Sequence, residues 1–271
     1  MPPFALDPDP ALSTTEVADL FQVHPSTVKR WCDRDEMSCS RTTGGHRRIR
    51  LSEVLRRARR DEVDVGLVRF GTRAGAVWTA ERHAAETGDY GRARSLALEW
   101  LDAGDYDRVR DFLVHLGGTR EDRLPAFFDG ALRDLLREVG QRWEAGALRV
   151  GVEHLVSEAM TDVLFRLRMG SDDGPGIRGS AERVALVGCG EGERHVLGAR
   201  AVRVVLERRG WSVRFLGGDV PLEEWSELQR SYGARLVCIS LSTLRTRADV
   251  LRTVRALAAA YGPDRPYALA L

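Results

Sequence analysis

The stretch VGCGEGERHVLG, Val187 to Gly198, decides how the C-terminal third of the chain is read. A β-prone run, ERVALVGCG (182–190), leads through glycines into the helix-periodic segment VLGARAVRVVLERRG (196–210). A dinucleotide fingerprint has this order and the spacing Gly-x-Gly-x-x-Gly, which lets bare backbone approach a pyrophosphate. Gly188 and Gly190 fit it, but Glu193 holds the third position and His195 follows two residues later. A histidine in a strand-to-helix turn points to a ligand other than a dinucleotide.

Working outward, the alternation continues. Strand WSVRFLGGD (211–219), helix PLEEWSELQRSYG (221–233), strand ARLVCISLS (234–242) and helix RADVLRTVRALAAAYG (247–262) follow, and PYALAL (266–271) begins a fourth strand. Such alternation implies a doubly wound parallel sheet, residues 181–271, with ligands at the carboxyl ends of its strands. His195, in the loop after the first strand, stands at that edge.

Upstream, residues 76–169 carry apolar residues at helical spacing, as in Leu132, Leu135, Leu136, Val139 and Trp143. Four or five helices packed as a bundle are expected. Gly146 ends one helix just after Trp143 and the next starts near Val150, placing Glu153 and His154 in its first turns. GSDDGPGIRGS (170–180) reads as a flexible linker and residues 59–75 as a second, with a short ordered element within Val63–Phe70.

Residues 12–58 form the remaining compact zone, after a loose Pro- and Asp-rich start over 1–11. Ser13 and Glu16 make a capping box for a first helix, with Val17 and Leu20 on its apolar face. FQVH (21–24) is a turn, Pro25 opens a second helix, and Val28 and Trp31 face inward. This is a helix-turn-helix, whose second helix enters a DNA major groove. Its outward positions are Ser26, Thr27, Lys29, Arg30 and Arg34. Gly44-Gly45 turns a hairpin followed by His46, Arg47, Arg48 and Arg50. Between Lys29 and Arg60 stand eleven Lys or Arg and four Asp or Glu, a local +7 in a chain of net charge +1. That local excess suits a phosphate-contacting wing.

At 271 residues, 43% apolar and 30% charged, the chain is a globular protein of two or three domains. Cys32, Cys39, Cys189 and Cys238 lack CxxC spacing and read as structural thiols of a reducing compartment. MPPFALDPDP lacks the basic and apolar regions of a signal peptide, and no apolar run would span a membrane. A cytoplasmic location is expected.

Residues 12–58 resemble the MerR-type winged-helix family, in its variant with a GGHRR wing. The resemblance implies that Lys29 and Arg30 contact the major groove or its phosphates, and that a wing led by His46 and Arg47 reaches a minor groove or backbone. Glu193-x-His195-x-x-Gly198 resembles the Asp/Glu-x-His-x-x-Gly motif of cobalamin-binding domains. LGGDVPLEEW and Ser242-Thr243-Leu244 follow in that family's order, and the likeness runs over roughly residues 76–271. Trp143-x9-Glu153-His154 resembles the helical cap over cobalamin in that group.

The resemblance implies that His195 ligates cobalt from below while Glu193 holds its other ring N–H. Gly198 would let the helix approach the corrin, Ser242 and Leu244 would border the nucleotide tail, and Trp143, Glu153 and His154 would cover the upper face. The chemistry agrees: neutral imidazole is a good cobalt ligand, and a carboxylate on its second nitrogen raises its basicity. Two departures stand out. A Gly-Gly pair usual after the fourth strand lies beyond Leu271, so either the sequence is a piece of the domain or tail binding is weakened. Glu144 follows Trp143 where some light-sensing members carry a histidine.

The whole is therefore read as multidomain α and α/β: a winged helix-turn-helix, a helical cap and a cobalamin-binding doubly wound sheet. In that order the domains resemble the CarH-type photoreceptor repressors. This implies adenosylcobalamin as cofactor, double-stranded operator DNA and a ligand-dependent homo-oligomer as partners, and no enzymatic role. Light would cleave the cobalt–carbon bond and dissolve the oligomer. A cobalamin-responsive or ligand-independent regulator without photochemistry, and a corrinoid methyl carrier, are the alternatives.

Overall fold

The computed structural model describes residues 7–118, 121–170, 180–241, 246–259 and 267–270. The chain divides into two compact units, Met1–His115 with Asp129–Glu138, and Leu116–Phe128 with Val139–Leu271.

The first unit opens with β1 (Ala11–Ser13), α1 (Thr14–Phe21), α2 (Pro25–Asp33), β2 (Ser40–Arg41), β3 (Arg47–Arg50) and α3 (Leu51–Arg60). The capping box forms: Glu16 N donates to Ser13 Oγ at 3.2 Å, and Ser13 N to Glu16 Oε2 at 2.6 Å. Pro25 takes the first position of α2, where a missing amide hydrogen costs nothing. His24 caps that helix, its Nδ1 accepting from Ser26 N at 3.2 Å. Histidine is not among the usual cap residues, so sequence patterns miss it. The strands form an antiparallel wing in the order β1-β3-β2, and its Gly44-Gly45 turn is closed by Thr42 N donating to His46 O at 2.9 Å.

Two expectations for this unit need correction. Residues 7–11 are held rather than loose. The Asp9 carboxylate accepts from Ser52 N at 2.7 Å and Ser52 Oγ at 2.9 Å, and its carbonyl accepts from Arg50 Nη1 at 2.8 Å. Asp9 thus serves as a cap for the start of α3 from 43 residues away. Asp9→Ala is expected to lower stability by about 1 kcal/mol, read as a reduced urea midpoint at unchanged m-value. Nor is the stretch 59–75 a linker: α3 runs to Arg60, and Val65, Leu67 and Phe70 are buried. A 3₁₀ turn over Val68–Arg73, overlapping the ordered element expected there, delivers Phe70 onto Trp100, stacked at 6.3 Å, and edge-on to Phe112. Helices α4 (Ala74–Thr87), α5 (Gly91–Asp102) and α6 (Tyr106–Gly118) supply these partners. A Cβ at Gly75 would lie 2.2 Å from the Pro8 carbonyl oxygen, so only glycine lets the N-terminal segment cross the start of α4.

Toward the second unit, α7 (Leu124–Phe127) passes through a π turn at Phe128–Leu132 into α8 (Arg133–Glu144). Gly146, left-handed at φ 71°, follows, and α9 covers Val150–Met169, as the spacing predicts. Then come β4 (Ser180–Gly190), α10 (Leu197–Arg208), β5 (Trp211–Val220), α11 (Leu222–Tyr232), β6 (Leu236–Ser240), α12 (Arg247–Ala259) and β7 (Ala268–Ala270). The sheet is parallel with order β5-β4-β6-β7. In β4, Val184 and Leu186 face a core with Trp225, Val237, Ile239 and Leu257, while Ala185, Val187 and Cys189 face Ala199 on α10. Period-two alternation with both faces apolar marks a strand covered by helices on both sides. Helix α9 docks on α10: Arg168 pairs with Glu207 at 2.5 Å, and Arg208 donates from Nε and Nη2 to the Leu167 carbonyl at 3.0 and 2.8 Å. No helix among the described residues is long and apolar enough to cross a membrane.

Candidate functional site

On α2, Val28 is fully buried, and Trp31 sits edge-on to Phe21 at 5.4 Å with the Arg57 guanidinium 3.8 Å over its ring. This anchoring turns Ser26, Lys29, Arg30 and Arg34 to solvent and leaves Thr27 half-exposed, its Oγ1 accepting from Arg30 Nη2 at 3.5 Å. His46 is exposed at the wing tip, and Arg48 is half-buried in β3. Arg47 has a partner within the protein. It is 17% exposed and paired with Asp33 at the end of α2. This pair braces the wing against the helix, because the planar guanidinium finds a carboxylate within reach.

In the second unit the β4–α10 loop is built around one buried carboxylate. Glu193 is 4% exposed, and its Oε1 accepts from the His195 amide at 2.7 Å and faces His195 Nδ1 at 2.7 Å. Burial pushes the Glu193 carboxyl up, but the His195 amide and ring outweigh it and hold the group below the usual value. An ionised carboxylate only accepts, so Nδ1 is the donor to Glu193 and Nε2 is the ring nitrogen left to meet a ligand. The His195 side chain is 92% exposed.

Asp219, at the end of β5, locks the loop: its carboxylate accepts from Gly192 N at 2.6 Å, and its amide donates to Glu193 O at 2.8 Å. The thiol of Cys189 donates to His195 O at 3.6 Å. The sequence reading gave Cys189 only the part of a structural thiol and Asp219 none. The LGGD landmark was visible, but its partner lies on another loop. At Gly198 an added Cβ would meet only Ser240 Oγ, at 3.9 Å, so protein packing does not demand glycine there.

This dyad presents one lone pair. Among the described residues no third His, Cys, Asp or Glu joins it to chelate an ion. Such a donor suits a metal whose remaining positions a macrocycle already fills, and in that sense the residues fit a corrinoid. Between β4 and β6 the sheet order reverses direction, and a shallow crevice opens there, bordered by Gly190, Val220, Trp225, Ile239 and Leu241. Ser242 and Leu244 lie outside the described residues.

The cap residues sit on the hairpin between α8 and α9. Trp143 is 46% exposed, an unusual surplus for a tryptophan. Glu153 Oε2 pairs with His154 Nδ1 at 3.0 Å, and its Oε1 accepts from Ser157 Oγ at 2.7 Å. His154 and Glu144 are exposed. These residues belong to the same compact unit as His195.

Comparison with known proteins bears on both sites. Residues 11–61 match the helix-turn-helix domain family, and residues 82–168 and 183–269 each match a B12 binding domain family. The chain carries a helix-turn-helix and two B12 binding domains. It is 31% identical to the HTH-type transcriptional repressor CarH of Myxococcus xanthus over 60% of this chain and 52% of that one. To CarA of the same organism, also an HTH-type transcriptional repressor, it is 36% identical over 35% of this chain and 30% of that one. A dimethylamine corrinoid protein of Methanosarcina barkeri is 28% identical over 44% of this chain and 57% of its own. The chain thus spans about half the length of the first of these relatives. The fold is an N-terminal helix-turn-helix, a helical B12-binding cap and a C-terminal parallel four-stranded α/β domain.

Proposed function

We propose that the protein is a cytoplasmic transcriptional repressor that holds adenosylcobalamin between its helical cap and α/β domain and uses it to sense light. The observation that carries this reading is the Glu193–His195 dyad, with Nε2 open, in a chain that also bears a basic winged helix. His195 would hold the cobalt through Nε2, with Glu193 orienting its ring from Nδ1 and Gly198 leaving room beside it. Trp143, Glu153 and His154 would cover the upper face. Bound adenosylcobalamin supplies a cobalt–carbon bond that visible light breaks. In the dark the cap favours a homo-oligomer competent for double-stranded operator DNA; in the light it shifts and the oligomer dissolves. A ligand with different affinity for two assembly states moves the equilibrium between them.

The test is reconstitution with adenosylcobalamin, followed by mass and duplex binding in darkness and under green light. Unchanged mass and unchanged binding would sink the light claim. Glu144, standing directly after Trp143, favours a second reading: a cobalamin-responsive repressor without photochemistry. In that case cobalamin alters duplex binding equally in darkness and light. On the DNA side, Lys29→Ala is expected to weaken duplex binding about equally across sequences and to reduce the salt-dependence slope by about 1. An unchanged slope would remove Lys29 from the phosphate contacts.

A further inference from the structure

Among the described residues, four that are not glycine take left-handed backbone. Gln22, Asp35 and Glu62 stand at or just past the ends of α1, α2 and α3, where this geometry is an ordinary way to stop a helix. Asp219, at φ 56°, stands inside β5. Nothing in regular strand pairing calls for a left-handed residue, and an L side chain is strained there. The strand register shows how it arises. Gly188 pairs with Gly217 and Gly190 with Val220, so Cys189 of β4 stands opposite two residues of β5, Gly218 and Asp219. Such a bulge bends its strand and re-aims a side chain. Here it turns Asp219 onto the β4–α10 loop. A Cβ on Gly218 would lie 3.1 Å from the Glu193 carbonyl oxygen and 3.2 Å from Val196 Cγ1, so the loop rests directly on that glycine.

The two bonds from Asp219 hold consecutive residues: its side chain takes the Gly192 amide, and its own amide takes the Glu193 carbonyl. The Glu193 backbone is therefore fixed before its carboxylate meets His195. An imidazole that is 92% exposed gains little orientation from packing. Its direction comes from Glu193 Oε1, 2.7 Å from Nδ1, and the place of Glu193 comes from Asp219.

We propose that Asp219 is a positioning residue whose strained backbone is retained because it aims His195, through Glu193, at a metal. The metal half rests on the function proposed above; the orientation of the ring does not. Two substitutions separate this role from a merely structural one. Glycine adopts left-handed backbone freely, so Asp219→Gly relieves the strain and removes only the side-chain acceptor. Asparagine keeps an oxygen acceptor at the same reach and tolerates the same backbone. A residue that served the fold alone would show effects that follow stability. A positioning residue loses its effect on His195 in the glycine variant even where the fold holds, and the asparagine variant restores it.

The experiment uses the full chain with nitrogen-15 histidine, in mildly alkaline buffer, as wild type, Asp219→Asn and Asp219→Gly. The His195 signals are assigned by their absence in His195→Ala. Without cofactor, the ring nitrogen shifts report which nitrogen donates. Wild type and Asp219→Asn are expected to show one form with Nδ1 as donor, and Asp219→Gly a mixture of ring forms at a urea midpoint close to wild type. Titration with adenosylcobalamin in darkness, read by its visible spectrum, is expected to show about 10–100-fold weaker binding for Asp219→Gly and near wild-type binding for Asp219→Asn. The proposal is overturned if wild type lacks the single Nδ1-donor form, if Asp219→Gly keeps it, or if both variants lose binding in step with their urea midpoints. If wild type binds no cobalamin, the functional reading fails, and the ring nitrogen shifts decide the positioning of His195 by themselves.

Discussion

Replacing His195 with alanine is expected to abolish axial ligation of cobalamin while leaving the fold intact. The side chain is 92% exposed, so truncating it removes almost no packing. The loop keeps its shape because Glu193 still accepts the backbone amide of residue 195, and Asp219 still clamps both sides. What disappears is the Nε2 lone pair. Titration with cobalamin, followed by its visible spectrum, reads this directly: the protein-induced change should vanish and affinity should fall by more than about a hundredfold. Glu193→Gln is the graded control. Its amide keeps the volume but weakens the hold on the Nδ1 proton, and loss of such an orienting partner typically costs 10–100-fold in metal affinity. An alanine variant with wild-type spectrum and affinity would show that cobalt is held elsewhere.

The second large effect is on stability. Trp225, on α11, is fully buried against Val220, Val237 and Ile239, and a Cβ on Gly188 would approach its ring edge to 3.2 Å. Trp225→Ala is expected to destabilise the α/β domain by about 3–5 kcal/mol, the usual cost of emptying so large a core site. Trp225→Phe should cost far less. It keeps most of the volume and removes an indole N–H that has no partner among the described residues, a group whose burial is itself unfavourable. Equilibrium urea unfolding of the two variants checks the ranking. Equal losses would mean that the N–H carries a bond, not a penalty.

Much of the architecture was legible in local pattern. Ser13 and Glu16, Pro25, the Gly44-Gly45 turn and Gly146 each act within a few residues, and each gives the cap, turn or helix end its chemistry dictates. Strand–helix alternation placed His195 at the carboxyl edge of the sheet for the same reason: a parallel connection needs a helix, and the loop after the strand must open at that edge. What remained hidden depends on groups far apart in sequence. Arg47 reads as a wing cation until its partner Asp33 is seen, and Val65, Leu67 and Phe70 read as a linker until Trp100 and Phe112 cover them.

By itself, then, the sequence determined the order and bounds of most elements, because these rest on periodicity and on contacts two to four residues long; the pairing of Glu193 with His195 came from the resemblance of the motif. Only the tertiary structure decided that Asp9 caps α3 and that Asp219 locks the histidine loop. Each of those depends on how one element packs on another. Many residues of the same type would satisfy the local pattern equally well, and packing selects the one whose donor or acceptor arrives within bonding distance.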